Sequence, residues 1–437
     1  MTGDAMTTVL RGQIVTFGAE PGSCRHEAKG ALVIGDDGRI AWLGAAADLP
    51  AGFRDLPAAD HGDSLILPGF IDTHVHYPQY RILAAPGKDL LDWLDRFTFP
   101  EEARYADAGY AARTAALFLD RLVQHGTTSA LAFCTVHKGS ADALFAEAAH
   151  RNMALVSGKT LMDRNAPANL RDDPESAALD TAELYRRWHG KGRARYAITP
   201  RFAITSTEAQ LAVCGQLLRD LPEALLHTHL SESAPELAAL AKLFPHDADY
   251  TAVYERFDLV GERSLFAHGI HLSERECQVL YEAGSAVIHC PTSNTFLGSG
   301  LMSMPQLAQP GRPVAYGIAT DIGGGTSYSM LQTLGEAYKV QMLAGYKPSA
   351  TELFQLATRG NAARLKLEDE IGALEPGKWA DIVVLDPKAT PVMADRAALS
   401  ESLEDVLFAL AILGDDRAVA ATYIAGRKVH DRLSARS

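Results

Sequence analysis

Apolar positions along the chain fall into three regimes. From Val9 to Leu67 they form short alternating segments, Gln13-Ile14-Val15-Thr16-Phe17, Ala31-Leu32-Val33-Ile34 and Arg39-Ile40-Ala41-Trp42, broken by Gly, Asp and Pro. Alternation punctuated by turn residues predicts β-strands. Residues Gly372 to Val429 return to the same style with Ala380-Asp381-Ile382-Val383-Val384-Leu385 and Ala418-Val419-Ala420-Ala421-Thr422-Tyr423-Ile424. The two ends, residues 1–67 and 372–437, are therefore expected to combine into one small β-sandwich domain.

Between them, over residues 68–371, apolar β-rich runs of four to eight residues alternate with longer helical patterns, the signature of repeated βα units around a parallel sheet. With polar strand-end residues included, there are eight runs: Leu65 to His76, Thr127 to Thr135, Ala154 to Leu161, Arg195 to Pro200, Ala224 to Leu230, Ser264 to Leu272, Ser285 to His289, and Pro313 to Thr320. Eight units predict an α/β fold of the (β/α)8 TIM-barrel type. Active sites of such barrels lie at the carboxyl ends of the strands, so chemistry is expected where these runs finish.

Composition narrows the function classes. Over 437 residues, 47% hydrophobic and 22% charged residues describe an ordinary globular chain. Lys and Arg number 41 against 54 Asp and Glu, a formal charge of −13, with no basic run. That argues against a nucleic-acid partner and against a basic membrane-binding face. Met1 to Leu10 lacks a signal-peptide pattern, and no stretch of about 18 apolar residues occurs; a cytoplasmic protein is expected. Cys24, Cys134, Cys214, Cys277 and Cys290 form no Cys-x-x-Cys pair and are expected to be buried thiols.

The first barrel run ends in Asp72-Thr73-His74-Val75-His76. Side chains alternate along a strand, so His74 and His76 point the same way and make half a metal site. The fifth run ends in His227-Thr228-His229-Leu230-Ser231-Glu232, the sixth contains Ala267-His268-Gly269-Ile270-His271, and the eighth leads into Thr320-Asp321 and a glycine run. His74, His76, His229 and Asp321 assemble a ligand set that suits a catalytic Zn²⁺, one per chain, or a related divalent ion such as Fe²⁺. Such coordination lowers the pKa of a bound water to about 7, and the chemistry then needs a proton carrier. Glu232, three residues past His229, is the candidate; a helix-capping acid is the competing reading. His268 is expected to act on the attacking oxygen or to fix Asp321. His227, His271 and His289 read more readily as core or rim histidines than as ligands.

Pro68-Gly69-Phe70-Ile71-Asp72-Thr73-His74-Val75-His76 and Glu375-Pro376-Gly377-Lys378-Trp379-Ala380-Asp381 resemble the amidohydrolase superfamily. Tyr77-Pro78-Gln79, Leu91-Asp92-Trp93-Leu94 leading to Thr98-Phe99-Pro100-Glu101, His289-Cys290-Pro291-Thr292-Ser293-Asn294, and Thr320-Asp321 through Leu331 resemble, within it, the branch that deaminates guanine. The resemblance covers nearly the whole chain. It implies hydrolysis of guanine by a metal-activated water to xanthine and ammonia. It implies metal ligands at His74, His76, His229 and Asp321, with Glu232, His268 and Asp321 catalytic. Gln79 and Arg201 would hydrogen-bond the purine, Phe202 would contact it through its backbone or ring, and His229 and Glu232 would also border it. A homodimer is implied as well.

Superfamily members with two metals usually carry a bridging modified lysine at the end of the fourth strand. Here that strand ends in Thr199-Pro200-Arg201, so a single metal is expected. Lys159, in the third run, is expected to satisfy nearby polar groups. The competing functions are deamination of another ring, such as a modified guanine, a pyrimidine or a triazine, and a catalytically silent scaffold of the same fold. The other zinc deaminase design, His-x-Glu with Pro-Cys-x-x-Cys, does not occur in this sequence.

Overall fold

The computed structural model describes residues 7–432; residues 1–6 and 433–437 of the two terminal segments lie outside the described residues. Eight parallel strands, Phe70–His76, Thr127–Phe133, Ala154–Gly158, Ala194–Pro200, Leu225–Leu230, Ser264–His268, Ala286–His289 and Ala315–Ile318, follow one another around a barrel in chain order. A two-residue strand, Thr160–Leu161, continues the third beyond Lys159 and pairs with the end of the fourth. The eight-run expectation holds, with shorter strands. The first run divides, since Ala58–Pro68 belongs to the terminal sheet and only Phe70–His76 to the barrel. The sixth run stops at His268, which has φ 73, followed by Gly269 at φ 56.

The terminal sheet joins seven strands in the order Arg427–Asp431, Val419–Ile424, Ile382–Leu385, Ala58–Pro68, Thr8–Phe17, Cys24–Ile34 and Ile40–Ala45. Its two halves are stitched by the antiparallel register Ile382↔Pro68 to Leu385↔Leu65. Two helices, Pro391–Ala397 and Leu403–Leu413, lie between its C-terminal strands; strand patterning on both sides hid them. Leu407 and Leu410 of the second are buried with Leu331 and Leu334 of the barrel helix Met330–Leu343. Cys134, Cys214, Cys277 and Cys290 are buried. Cys24 is exposed, contrary to expectation, because it opens a strand whose first six residues run past the core.

Gly69 marks the passage from terminal sheet to barrel. A Cβ there would lie 2.2 Å from the Thr128 hydroxyl, so only glycine lets the first strand sit against the second. Its amide donates to the carbonyl of Asp381 at 2.9 Å, and the Asp381 carboxylate holds Arg193 in a buried ion pair. The Glu375 to Asp381 motif thereby ties the terminal sheet to the start of the fourth barrel strand.

Closure between the first and last strands is local. The Asn361 amide donates to the carbonyls of Ile71 (2.6 Å) and Ile318 (2.7 Å), Thr73 donates to Ile318 (3.0 Å), and the Asp321 amide donates to the His74 carbonyl (3.0 Å). These bonds set the carboxylate after the eighth strand beside the imidazoles ending the first. At the opposite end Leu365, Leu367 and Ile371 pack with Ile71, Leu131, Val156 and Ile288 and close the barrel floor.

Candidate active site

His74, His76 and His229 converge at the carboxyl end of the barrel, each offering a ring nitrogen within 4.8 Å of the others. His76 Nε2 and His229 Nε2 are 3.2 Å apart. Asp321 Oδ1 lies 3.2 Å from His74 Nε2 and 3.5 Å from His76 Nε2. His229 Nδ1 donates to the Arg201 carbonyl at 2.6 Å, which leaves its Nε2 as a bare lone pair. His74 Nδ1 is 2.7 Å from His227 Nε2, and with Nδ1 as donor the Nε2 of His74 is likewise a lone pair. Burial drives all three imidazoles well below their ordinary value, so they are neutral. Neutral nitrogens and a carboxylate converging in a dry pocket repel one another unless a cation lies among them, so this donor set fits a divalent metal.

A second cluster joins His74 and Asp321 to His268 and Cys290. Burial raises the Cys290 thiol well above its usual value, which disfavours the thiolate that metals bind. His268 turns its Nδ1 to Asn294 Oδ1 at 2.9 Å and its Nε2 toward Glu232 Oε2 (3.5 Å) and Asp321 Oδ2 (3.9 Å). Burial alone would lower His268, but the Glu232 and Asp321 carboxylates outweigh it and the imidazole is raised.

Glu232 is not a helix cap. Helix Ala234–Leu243 is capped by Ser233 and Glu236 in a reciprocal box, and Glu236 also accepts from the Glu232 amide at 2.8 Å. The Glu232 side chain is left to face the metal cluster, and burial pushes its carboxyl up to about 7. Ser299 donates to it at 3.3 Å. Three residues around this centre have left-handed backbone, Ser231 (φ 50), His268 (φ 73) and Asp321 (φ 52). Non-glycine residues pay about 1–3 kcal/mol each for that conformation, and such strain clusters at functional sites.

A pocket opens directly onto this cluster, with His76, His229, Glu232, His268 and Asp321 in its lining. Gln79 and Arg201 form its polar wall, Leu90, Trp93, Leu94 and Leu297 its roof, and Phe202 one side. Leu297 follows helix Pro291–Phe296, and the other three roof residues belong to a continuous helical segment, with α-helical Leu90–Trp93 and Phe99–Glu102 flanking a wider π turn, Leu94–Thr98. Such turns are frequent at functional sites. The Trp93 indole N–H is buried without a hydrogen-bond partner among the described residues. Gly324 lines the same space, where a Cβ would meet Ser293 Oγ at 2.7 Å and Asp321 Oδ2 at 3.3 Å. The glycine run thus gives room beside the carboxylate.

Every site residue expected from the sequence is at this end of the barrel. His227 lies under the cluster, bonded to His74. His271 is at the rim and holds the Ser299 carbonyl at 2.9 Å, so it sets the serine that bonds Glu232. His289 is buried away from the cluster, 3.5 Å from the Gln341 amide. Sequence reading missed Glu102. It is fully buried, and it accepts from Gln79 Nε2 at 2.9 Å and from Arg201 Nη1 at 2.8 and 2.9 Å. Its only signal was adjacency to the Thr98-Phe99-Pro100-Glu101 motif.

Lys159 is buried in an ion pair with Asp172, which also accepts from Gln210 at 2.9 Å. Its ammonium is therefore committed outside the metal cluster. Lys159→Met is expected to keep the parent's metal content while losing about 3–5 kcal/mol of stability, because Asp172 is left as an uncompensated buried charge. Elemental analysis beside a denaturant melt checks both halves, and loss of metal from a folded variant would contradict the assignment.

A sequence profile of the amidohydrolase family matches residues 65–429. The chain belongs to the amidohydrolase family. Guanine deaminase of Escherichia coli (strain K12) is 46% identical to this amidohydrolase over 405 residues, 92% of this chain and 91% of that one. The solved structure of E. coli guanine deaminase superposes with a TM-score of 0.93 at 44% identity, covering 97% of this chain and 100% of that chain. Guanine deaminase from C. acetobutylicum, solved with bound guanine in the active site, gives a TM-score of 0.88 at 28% identity over 97% of this amidohydrolase and 100% of its own chain. The barrel, the terminal sheet and the hydrolase class are thereby common ground with these relatives.

Proposed function

We propose that this amidohydrolase hydrolyses guanine to xanthine and ammonia, with one zinc ion per chain held by His74, His76, His229 and Asp321. The observation that carries the reading is the pocket itself, in which Gln79 and Arg201 share one lining with His76, His229, Asp321 and Glu232. Guanidinium and amide donors match a ring carbonyl and ring nitrogens. The likeness to guanine deaminases over almost the whole chain supports it. Fe²⁺ would suit the same ligands. The enzyme is read as a cytoplasmic homodimer; among the described residues no helix is long and apolar enough to cross a membrane.

When bound, the metal supplies a water that ionises near neutral pH. The remaining work falls to the chain. Arg201 and Gln79 fix the carbonyl-bearing edge of the ring, Phe202 packs beside it, and Leu90, Trp93 and Leu94 exclude bulk water. Glu232 takes a proton from the attacking water and carries it to the adjacent ring nitrogen. His268, held by Asn294 and facing Glu232 and Asp321, donates toward the new oxygen. As the water oxygen bonds to the amino-bearing carbon, its remaining proton passes to the amino group, the C–N bond breaks and ammonia leaves.

Ammonia release from a panel of purines, pyrimidines and triazines tests the reading. Guanine is expected to exceed adenine by far. Adenine lacks the carbonyl, which leaves buried donors unpaired at about 1–3 kcal/mol, and it carries its amino group on a different carbon, out of reach of the attacking water. A better rate with adenine, cytosine or a triazine would overturn guanine as substrate while leaving a deaminase. The full ligand set with Glu232 weighs against a silent scaffold.

A further inference from the structure

We propose that Glu102 is a positioning residue that makes the polar wall of the pocket donor-only, and thereby selects a ring whose facing edge carries a carbonyl rather than an amino group. The proposal rests on the guanine reading above. Gln79 is held at both ends of its amide: Nε2 donates to Glu102 Oε1 at 2.9 Å, and Oε1 accepts from the Gly323 amide at 3.1 Å. An isolated glutamine can rotate its amide and offer either an oxygen or an N–H. Here a turned amide would bring its oxygen against the Glu102 carboxylate and its NH₂ against the Gly323 N–H, two repulsive contacts in a buried site where neither is relieved by water. The face left to a ring is the second proton of Nε2.

Arg201 is treated likewise. Both Glu102 oxygens accept from its Nη1, and its guanidinium lies 5.8 Å from the Phe99 ring centre. One buried carboxylate therefore orients both recognition side chains and neutralises the cation that would otherwise stand unpaired near His76 and His229. The side chains of Arg201 and Glu102 are 4% and 1% exposed, so water cannot take over that task. Because Glu102 touches Gln79 and Arg201 and does not line the pocket, it acts on the ring only through them.

Glu102→Gln keeps the shape, removes the charge and replaces one of the two acceptor oxygens with an NH₂ donor, so Gln79 and Arg201 lose the paired carboxylate that holds them both. The test compares kcat and KM for guanine and for 2,6-diaminopurine, which replaces the guanine carbonyl with an amino group, in parent and variant, with metal content and melting temperature measured on both. The expected result is metal retention, a rise in the KM for guanine of about 10- to 100-fold with a smaller fall in kcat, and a drop of about tenfold or more in the preference for guanine over 2,6-diaminopurine. A general loss of packing would lower both substrates together and leave that ratio in place, which would overturn the proposal. Glu102→Asp keeps the charge but draws the carboxylate back, so it cannot reach both partners. If Glu102→Gln does not fold, a raised KM and lowered ratio in Glu102→Asp support the proposal and parental values overturn it. A parent that releases no ammonia from guanine sinks the substrate reading and Glu102 with it; a parent active on guanine with unaltered variants sinks Glu102 alone.

Discussion

Glu232→Gln is expected to give a folded protein with the parent's metal content and a turnover lower by about 10²–10⁴-fold, the contribution of positioned acid–base transfer. The substitution is nearly isosteric, and the helix that follows is capped by Ser233 and Glu236, not by Glu232, so the local fold does not depend on the carboxylate. Ser299 can still donate to the amide oxygen. What is lost is the carboxylate that the proposed mechanism uses to take a proton on one side and release it on the other. Burial has already raised that carboxyl to about 7, near the range in which it can serve both roles at neutral pH. Steady-state kinetics with guanine, beside elemental analysis, checks the expectation. Turnover near that of the parent would move the proton carrier elsewhere, with His268, 3.5 Å away, the next group to examine.

His229→Ala is expected to abolish measurable turnover by a different route. The variant loses one of the three imidazoles and leaves the Arg201 carbonyl without the 2.6 Å bond from Nδ1. On the proposed reading that bond ties a metal ligand to the backbone of a residue that recognises the ring, so the loss would reach both halves of the site. Metal content after dialysis should fall well below that of the parent, and excess zinc should restore at most a small fraction of activity. Retention of a full equivalent of metal with normal activity would remove His229 from the ligand set.

The alternation of strands with helical patterns made the barrel readable, and the His-x-His spacing made half the metal nest readable, because both follow from periodicity along one element. Glu232 was readable as a carboxylate just past a strand end, but its freedom from capping was not; that depends on which of two adjacent residues closes the helix. Glu102 was not readable at all. It reaches Gln79 across 23 positions and Arg201 across 99, and no local pattern marks a carboxylate that works by orienting others. The helices at Pro391–Ala397 and Leu403–Leu413 were overlooked because strand signals dominate both flanks. The exposed Cys24 shows the limit of reading burial from residue type alone.

The left-handed backbone at His268 and Asp321 sets this enzyme's folding interest against its chemistry. Glycine or asparagine would sit in those conformations more comfortably than histidine or aspartate, and either would also remove a buried ionisable group whose desolvation opposes folding. Selection for heat resistance alone would therefore drift toward a firmer and idle protein at these two positions. Stabilising substitutions belong far from the carboxyl end of the barrel, in the terminal sheet and the outer helices, where gains in stability need not be repaid in activity.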